Sequence, residues 1–280
     1  MESVAPPTPV LRQPAIEYRF EHPRLSDIVH DMFIRHDELG PGDQIPAFDM
    51  PTTEGGRFSS SQLAAMGVPT LIVFGSRSCP VTESGADGLV GLHERFGRRI
   101  RFVMVQVREA HPGDSIVQPR TAEEKWRHAS ALKRRYRLPF EVAVDDVDGT
   151  LHRALATRPN SAFVIDPGGT ILVRVQWANE TEAIGDALEA IVRGQAPPLP
   201  TISHTLSAMT RTMGFMSAAL DAAGPGARLD TWKVAPPMAL MMHAADVFFF
   251  LPREKRGLPA MALVTALVLG VAAAVFRAWA

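Results

Sequence analysis

Along the first two-thirds of the chain, short unbroken apolar runs alternate with longer segments whose apolar residues recur every three or four positions. Thr70–Phe74 (TLIVF) and Ile100–Val107 (IRFVMVQV) have the composition of strands covered on both faces. Between them, Glu83–Phe96 places Leu89, Val90, Leu92 and Phe96 at helical spacing. Thr121–Tyr136 predicts a second helix, opened by Thr121 and Glu124 in the spacing of a capping box. Glu141–Val144 predicts a brief strand, and the acidic DDVDGT after it is read as a strand-to-helix turn in preference to a cation loop. Ala162–Asp166 and Ile171–Trp177 flank Pro167-Gly168-Gly169-Thr170, which predicts a hairpin, and a last helix covers Glu180–Val192. Upstream, Leu25, Ile28, Val29, Met32 and Phe33 give Leu25–Glu38 a helical pattern, while Met1–Pro14 is Pro-rich and read as a loose arm. The order strand, helix, strand, helix, strand, hairpin, helix predicts an α/β domain whose mixed sheet is mostly parallel with an antiparallel edge.

The last third reads differently. Ala196–Pro200 (APPLP) is a Pro-rich break read as a linker, and Thr205–Ala223 is a Met- and Ala-rich helical segment closed by Gly224-Pro225-Gly226. Its methionines are read as packing residues. Ala235–Leu251 is apolar but carries His243 and Asp246 near its middle, so a helix in the membrane interface or packed on the domain is expected over a second span. From Leu258 to Phe276 no residue is charged. About 19 residues at 1.5 Å each cross most of a hydrocarbon core, which predicts a transmembrane helix; a buried core helix is the alternative. Arg253, Lys255 and Arg256 precede the segment and only Arg277 follows, so the positive-inside rule puts the upstream chain in the cytoplasm. The opening MESVAPPTPVLRQP lacks the basic start and apolar run of a signal peptide. The division expected is an arm and helix over 1–40, a main domain over 41–195, a linker and partly interfacial helical extension over 196–257, and a membrane anchor over 258–277.

Composition narrows the chemistry. The 280 residues hold 29 Lys and Arg against 30 Asp and Glu, which offers no electrostatic reason for a nucleic-acid partner. A single cysteine, Cys79, excludes an internal disulfide, a CxxC pair and any metal site needing two thiolates from this chain. No other histidine has a ligand-spaced partner, so no metal is expected. Cys79 leaves a predicted strand and enters a predicted helix in FGSRSCPVTES, with Pro80 suited to the first helical position. A helix N-terminus lowers a thiol pKa, and Arg77 could add a favourable charge, so the position predicts a reactive thiolate. An inert buried cysteine is the competing reading.

Gly42–Thr82, with PGDQIPAF, GGRFSSSQL and VPTLIVFGSRSCP, resembles the opening of the thioredoxin-like redoxins, peroxiredoxins among them. More narrowly, GSRSCP at Gly75–Pro80 followed one strand later by REAHPGD at Arg108–Asp114 resembles the iodothyronine deiodinases, over roughly Gly42–Val192. The resemblance puts Cys79 at the position of the catalytic selenocysteine, Ser76, Ser78 and Pro80 at those of its neighbours, and Glu109, Ala110, His111 and Asp114 on the second motif. It departs at Arg77, where the family has a cysteine, at Pro119, where it has a histidine, and at Asn160, where it has an acid; the family's membrane segment is also N-terminal. The peroxiredoxin pattern Pro-x-x-x-Ser/Thr-x-x-Cys is met at Ser76, with Ile72 in place of the proline. By resemblance, Pro159 takes the place of the cis-proline beside the active cysteine.

The resemblance implies a thioredoxin-like α/β fold, a mixed sheet flanked by helices, continued by a helical C-terminal extension and one transmembrane helix. It implies a thiol oxidoreductase in which Cys79 attacks halogen or oxygen of a small-molecule substrate, His111 delivers a proton, Ser76 joins them in the site, and Arg77, Ser78, Pro80, Glu109 and Pro159 support it. No bound cofactor is expected; the partners expected are the substrate, an external thiol reductant and the membrane. A one-cysteine peroxidase, regenerated through a sulfenic acid, and a tethered binding module with an idle Cys79 remain the alternatives.

Overall fold

The computed structural model describes residues 18–35, 37–155, 158 and 160–279. Residues 1–17 and Pro159, with the readings placed on them, lie outside the described residues. In chain order the elements are α1 (Leu25–Asp31), β1 (Asp49–Pro51), β2 (Arg57–Ser59), α2 (Ser60–Met66), β3 (Thr70–Gly75), α3 (Pro80–Phe96), β4 (Arg101–Gln106), α4 (Ala122–Tyr136), β5 (Glu141–Val144) and α5 (Thr150–Leu155). They continue with β6 (Ala162–Ile165), β7 (Ile171–Val175), α6 (Thr181–Val192), β8 (Thr201–Ile202), α7 (Thr205–Ala223), α8 (Pro225–Val234), α9 (Pro236–Val247) and α10 (Gly257–Trp279).

The main sheet runs β5-β4-β3-β6-β7-β8. β3, β4 and β5 are parallel, because each crossover carries a helix; β6 lies antiparallel against β3 and closes its hairpin with β7. Successive side chains of β3 enter opposite cores. Leu71 and Val73 pack with Leu89, Leu92 and Phe96 of α3, Leu132 of α4 and Leu188 of α6. Ile72 and Phe74 pack on the other face with Phe58 of the β1–β2 hairpin, Leu63 of α2, and Leu151 and Leu155 of α5. A strand buried on both faces has to be apolar at every position, which is why TLIVF is unbroken. This mixed sheet, with the cysteine-bearing helix following its central strand, is the thioredoxin-like fold.

Two expectations are corrected. The first helix stops at Asp31 instead of continuing to Glu38, because Gln176 Nε2 donates to the carbonyls of Asp31 and Met32 and Arg158 Nη1 to that of Phe33, taking acceptors a longer helix would use. Its outward face is apolar, with Leu25 and Val29 exposed, as is Phe33 just beyond it, while Asp27 is buried. α3 begins at Pro80, the first helical position expected for it, where a missing N–H costs nothing. Directly after the Pro-rich break, Thr201 and Ile202 rejoin the sheet as β8, parallel to β7.

α7 therefore leaves from the sheet edge and lies against α3. Asn179, fully buried, donates through Nδ2 to Ser84 Oγ (2.9 Å), the Ala208 carbonyl (3.0 Å) and Thr212 Oγ1 (3.1 Å), tying α3, the chain before α6 and α7 together. Met213, Met216 and Leu220 of α7 form a third core with Ala227 of α8, Met242 and Ala245 of α9 and Ala260 of α10. The 235–251 segment is thus a helix packed on the domain. α10 is long and apolar enough to cross a membrane: over Arg253–Arg277 the mean hydropathy reaches 2.3, with 6% of that window buried, which sets it apart from a core helix.

Candidate active site

Cys79 follows the end of β3 and occupies the N-cap of α3 in extended conformation (φ −92°, ψ 116°), with Pro80 at the first helical position. The strand-to-helix turn comes from a Cys79 N–H donating to the Ser76 carbonyl (3.3 Å) and a Glu83 N–H donating to the Cys79 carbonyl (3.1 Å). Here the structure departs from the sequence expectation. The residue is 2% exposed, and burial pushes its thiol above the ordinary range. The main groups working against burial are the backbone N–H and hydroxyl of Thr82, the Asn160 amide and the Val81 N–H. Half-buried Arg77 is not among them, so the helix start contributes donors and the arginine does not.

Two motifs far apart in sequence are stitched together beside the thiol. Ala110 N–H donates to Ser76 Oγ (3.3 Å) and His111 N–H donates to Ser78 Oγ (3.1 Å). Ser78 in turn donates through both its N–H (2.9 Å) and its hydroxyl (2.7 Å) to Glu109 Oε2. Glu109, wholly buried, also accepts from Gln106 Nε2 (3.1 Å) and His128 Nδ1 (2.7 Å). Every lone-pair direction of that carboxylate is used inside the protein, which makes Glu109 a brace between the β3 and β4 loops. Ser76 is likewise fully buried, its hydroxyl satisfied by Ala110 and with no hydrogen bond to the thiol.

His111 does face the thiol's surroundings. His111 and Cys79 line one cavity of about 100 Å³, whose walls include Ile28 from α1 and Met32 just after it, Trp177 after β7, Met209, Met213 and Met216 from α7, and Met238 from α9. Burial, aided by Arg108, lowers the His111 pKa to about 4, against the pull of Asp31, so the imidazole is neutral near pH 7. Asp27, Asp31 and Asn160 are the other polar residues of the lining besides Thr212. Asn160 Nδ2 donates to Cys79 Sγ at 3.6 Å.

Of the residues singled out in the sequence, Cys79, Pro80 and His111 share the cavity, Ser76, Ser78 and Glu109 hold its loops, and Arg77 stands aside. Pro159 lies outside the described residues. Sequence reading missed Thr82 and the methionine wall, and took Asn160 only for a lost acid. Thr82 was legible in retrospect, because the third helical residue is where an N-cap group finds its donors. Among the described residues no group of three or more His, Cys, Asp and Glu side chains is arranged to hold a metal ion.

Comparison with known proteins gives a consistent setting. No curated protein matches this sequence. Solved structures similar to it include an uncharacterized conserved protein from Geobacillus kaustophilus, 18% identical, covering 59% of this chain and 90% of its own, with a TM-score of 0.46. Peroxidoxin BcpB from Mycobacterium tuberculosis is 17% identical over 56% of this chain and 98% of its own (TM-score 0.42). A yeast mitochondrial 1-Cys peroxiredoxin is 18% identical over 55% of this chain and 76% of its own (TM-score 0.39). Residues 41–174 match the AhpC/TSA family, and the matched stretch contains both Cys79 and the loops that brace it. Over those residues, just under half of its length, the chain is similar to the AhpC/TSA family.

Proposed function

We propose that the protein is a one-cysteine thiol peroxidase acting on a small or narrow hydroperoxide. The observation that carries this reading is a single thiol, alone among thioether and aromatic walls, in a cavity of about 100 Å³ that also holds a neutral imidazole. Drug-sized ligands occupy roughly 300–1,000 Å³, so the small cavity suits a peroxide group with little attached to it. As the sulfur attacks one peroxide oxygen, the Cys79 proton passes, relayed by the neutral His111 imidazole, to the leaving alkoxide or hydroxide. An S–O bond forms, the O–O bond breaks, and sulfur is oxidised by two electrons. The products are a Cys79 sulfenic acid and an alcohol or water. One external thiol then displaces water to give a mixed disulfide, and a second releases Cys79 and leaves as the external disulfide. No bound cofactor enters this cycle.

A second reading, reductive removal of halogen from an iodinated phenol, is favoured by the joining of the Gly75–Pro80 and Arg108–Asp114 motifs through Ser76 and Ser78. It requires the methionine wall to move for a two-ring substrate. We place the domain on the basic, cytoplasmic side of a membrane crossed by α10. The deciding measurement is turnover of hydroperoxide and of iodinated phenol with a small thiol reductant, by the full chain and by Cys79→Ser. Hydroperoxide turnover that vanishes in the variant, with dimedone labelling Cys79 in the parent, is expected; Cys79-dependent iodide release without peroxide turnover overturns the peroxidase reading.

A further inference from the structure

Asn160 is 4% exposed, its backbone carbonyl accepts from the Ala178 N–H (2.8 Å), and its neighbour Arg158 is buried and bonded to Phe33 and Glu38. The amide is thus presented to the cavity from a fixed loop. One end of it has a partner, since Nδ2 donates to Cys79 Sγ. The other end, Oδ1, is buried and has no hydrogen-bond partner. A thiolate can only accept, so the donor end of the amide must turn to sulfur, and the acceptor end is then left facing the cavity. Asp31 Oδ1, also in the lining, is a second buried acceptor with no hydrogen-bond donor; His30 Nδ1 lies 3.6 Å from it, and Arg108 Nη2 pairs with the other oxygen of the carboxylate at 3.7 Å. A buried acceptor left unmet is costly, and an apolar wall carrying two of them is complementary to a ligand that brings a donor.

We propose that Asn160 is the positioning residue of the site, holding the Cys79 sulfur through Nδ2 and accepting the O–H of a protonated hydroperoxide through Oδ1. This rests on the peroxidase reading and adds a rule of selection to it. A hydroperoxide, ROOH, satisfies Oδ1 while its O–O bond lies against sulfur. A disulfide has no donor and leaves Oδ1 orphaned, so the same thiol discriminates against disulfides.

The test uses the full chain in detergent, with Asn160→Leu and Asn160→Asp, and three readouts: the Cys79 titration midpoint from thiolate absorbance, the rate of oxidation by tert-butyl hydroperoxide, and the rate with methyl methanethiosulfonate, a small electrophile without donors. In Asn160→Leu the midpoint rises, and the hydroperoxide rate per thiolate falls about 10- to 100-fold, while the thiosulfonate rate per thiolate stays within about twofold. Asn160→Asp keeps an acceptor but sets a carboxylate beside sulfur, so its midpoint rises as well and its hydroperoxide rate per thiolate is retained. Equal losses with both reagents in the two variants overturn the proposal. A parent protein that reacts with the thiosulfonate and ignores the hydroperoxide overturns the peroxidase reading itself. The titration then judges the grip on sulfur alone, and an unmoved midpoint in Asn160→Leu overturns that too.

Discussion

Thr82 stands three residues into α3 and gives the Cys79 sulfur both a backbone N–H and a hydroxyl. Thr82→Val removes the hydroxyl and keeps the shape, so the thiol midpoint is expected to climb further above its already raised value, with alkylation at pH 7 slowed several-fold; a pH series of iodoacetamide rates checks it. His111 makes a different prediction. Its folded pKa of about 4 lies below the unfolded value of about 6.5, so between those limits the unfolded chain binds a proton that the folded protein refuses. The stability linked to His111 is fully present above about pH 6.5 and is lost as pH falls toward 4. Urea titrations should therefore show His111→Gln flatter than the parent over that window. At this scale Cys79, Pro80 and His111 were readable because a strand end, a helix start and a nearby motif mark them in one dimension. Ser76 was readable as a neighbour of the thiol but not in its role, since only the fold shows its hydroxyl meeting the Ala110 N–H. Asn160 was opaque for the same reason: 81 residues separate it from the sulfur it holds.

Among elements, α7 meets the turn before α10 and the start of α10 at close backbone approach. A Cβ on Gly214 would lie 1.9 Å from the Arg253 carbonyl oxygen, and one on Gly257 would lie 1.7 Å from that of Thr210. No side chain fits either position without parting the helices. Gly214→Val is expected to cost about 1–3 kcal/mol, seen as a lowered Tm of the full chain in detergent, and to loosen the methionine wall, seen as faster alkylation of Cys79. The long elements were legible because burial writes a period into them: β3 through its double coverage, α4 through its Thr121–Glu124 box, α7 at its residue limits. The short ones were not. β1, β2 and β8 are two or three residues each, held by their pairing, β1 with β2 and β8 with β7, and α5 is a single turn and a half whose first N–H groups are met by Asp145 and Asp146. Such segments owe their conformation to neighbours and leave no pattern of their own.

In the molecule as a whole, one end carries the sheet and the other a bare apolar helix. Leu267 and Val271 lie exposed near its middle, where a lysine costs about 2.5–3.5 kcal/mol in a bilayer. Leu267→Lys with Val271→Lys should move the full chain from the carbonate-resistant pellet to the supernatant; a parent protein already in the supernatant refutes the membrane reading. Exposed Phe249 and Phe250 beside Arg253, Lys255 and Arg256 give that end an aromatic and basic collar suited to a headgroup layer. The wall over Cys79 belongs to α7 and α9, the two helices on which α10 rests. The enclosure of that thiol has a kinetic consequence. A reductant larger than the cavity cannot meet the sulfenic acid until the wall parts, so the reductive half of each cycle is gated. Its rate should level off at high thiol concentration, and at the same plateau for bulky and compact thiols, because the clock being read is the opening of the protein.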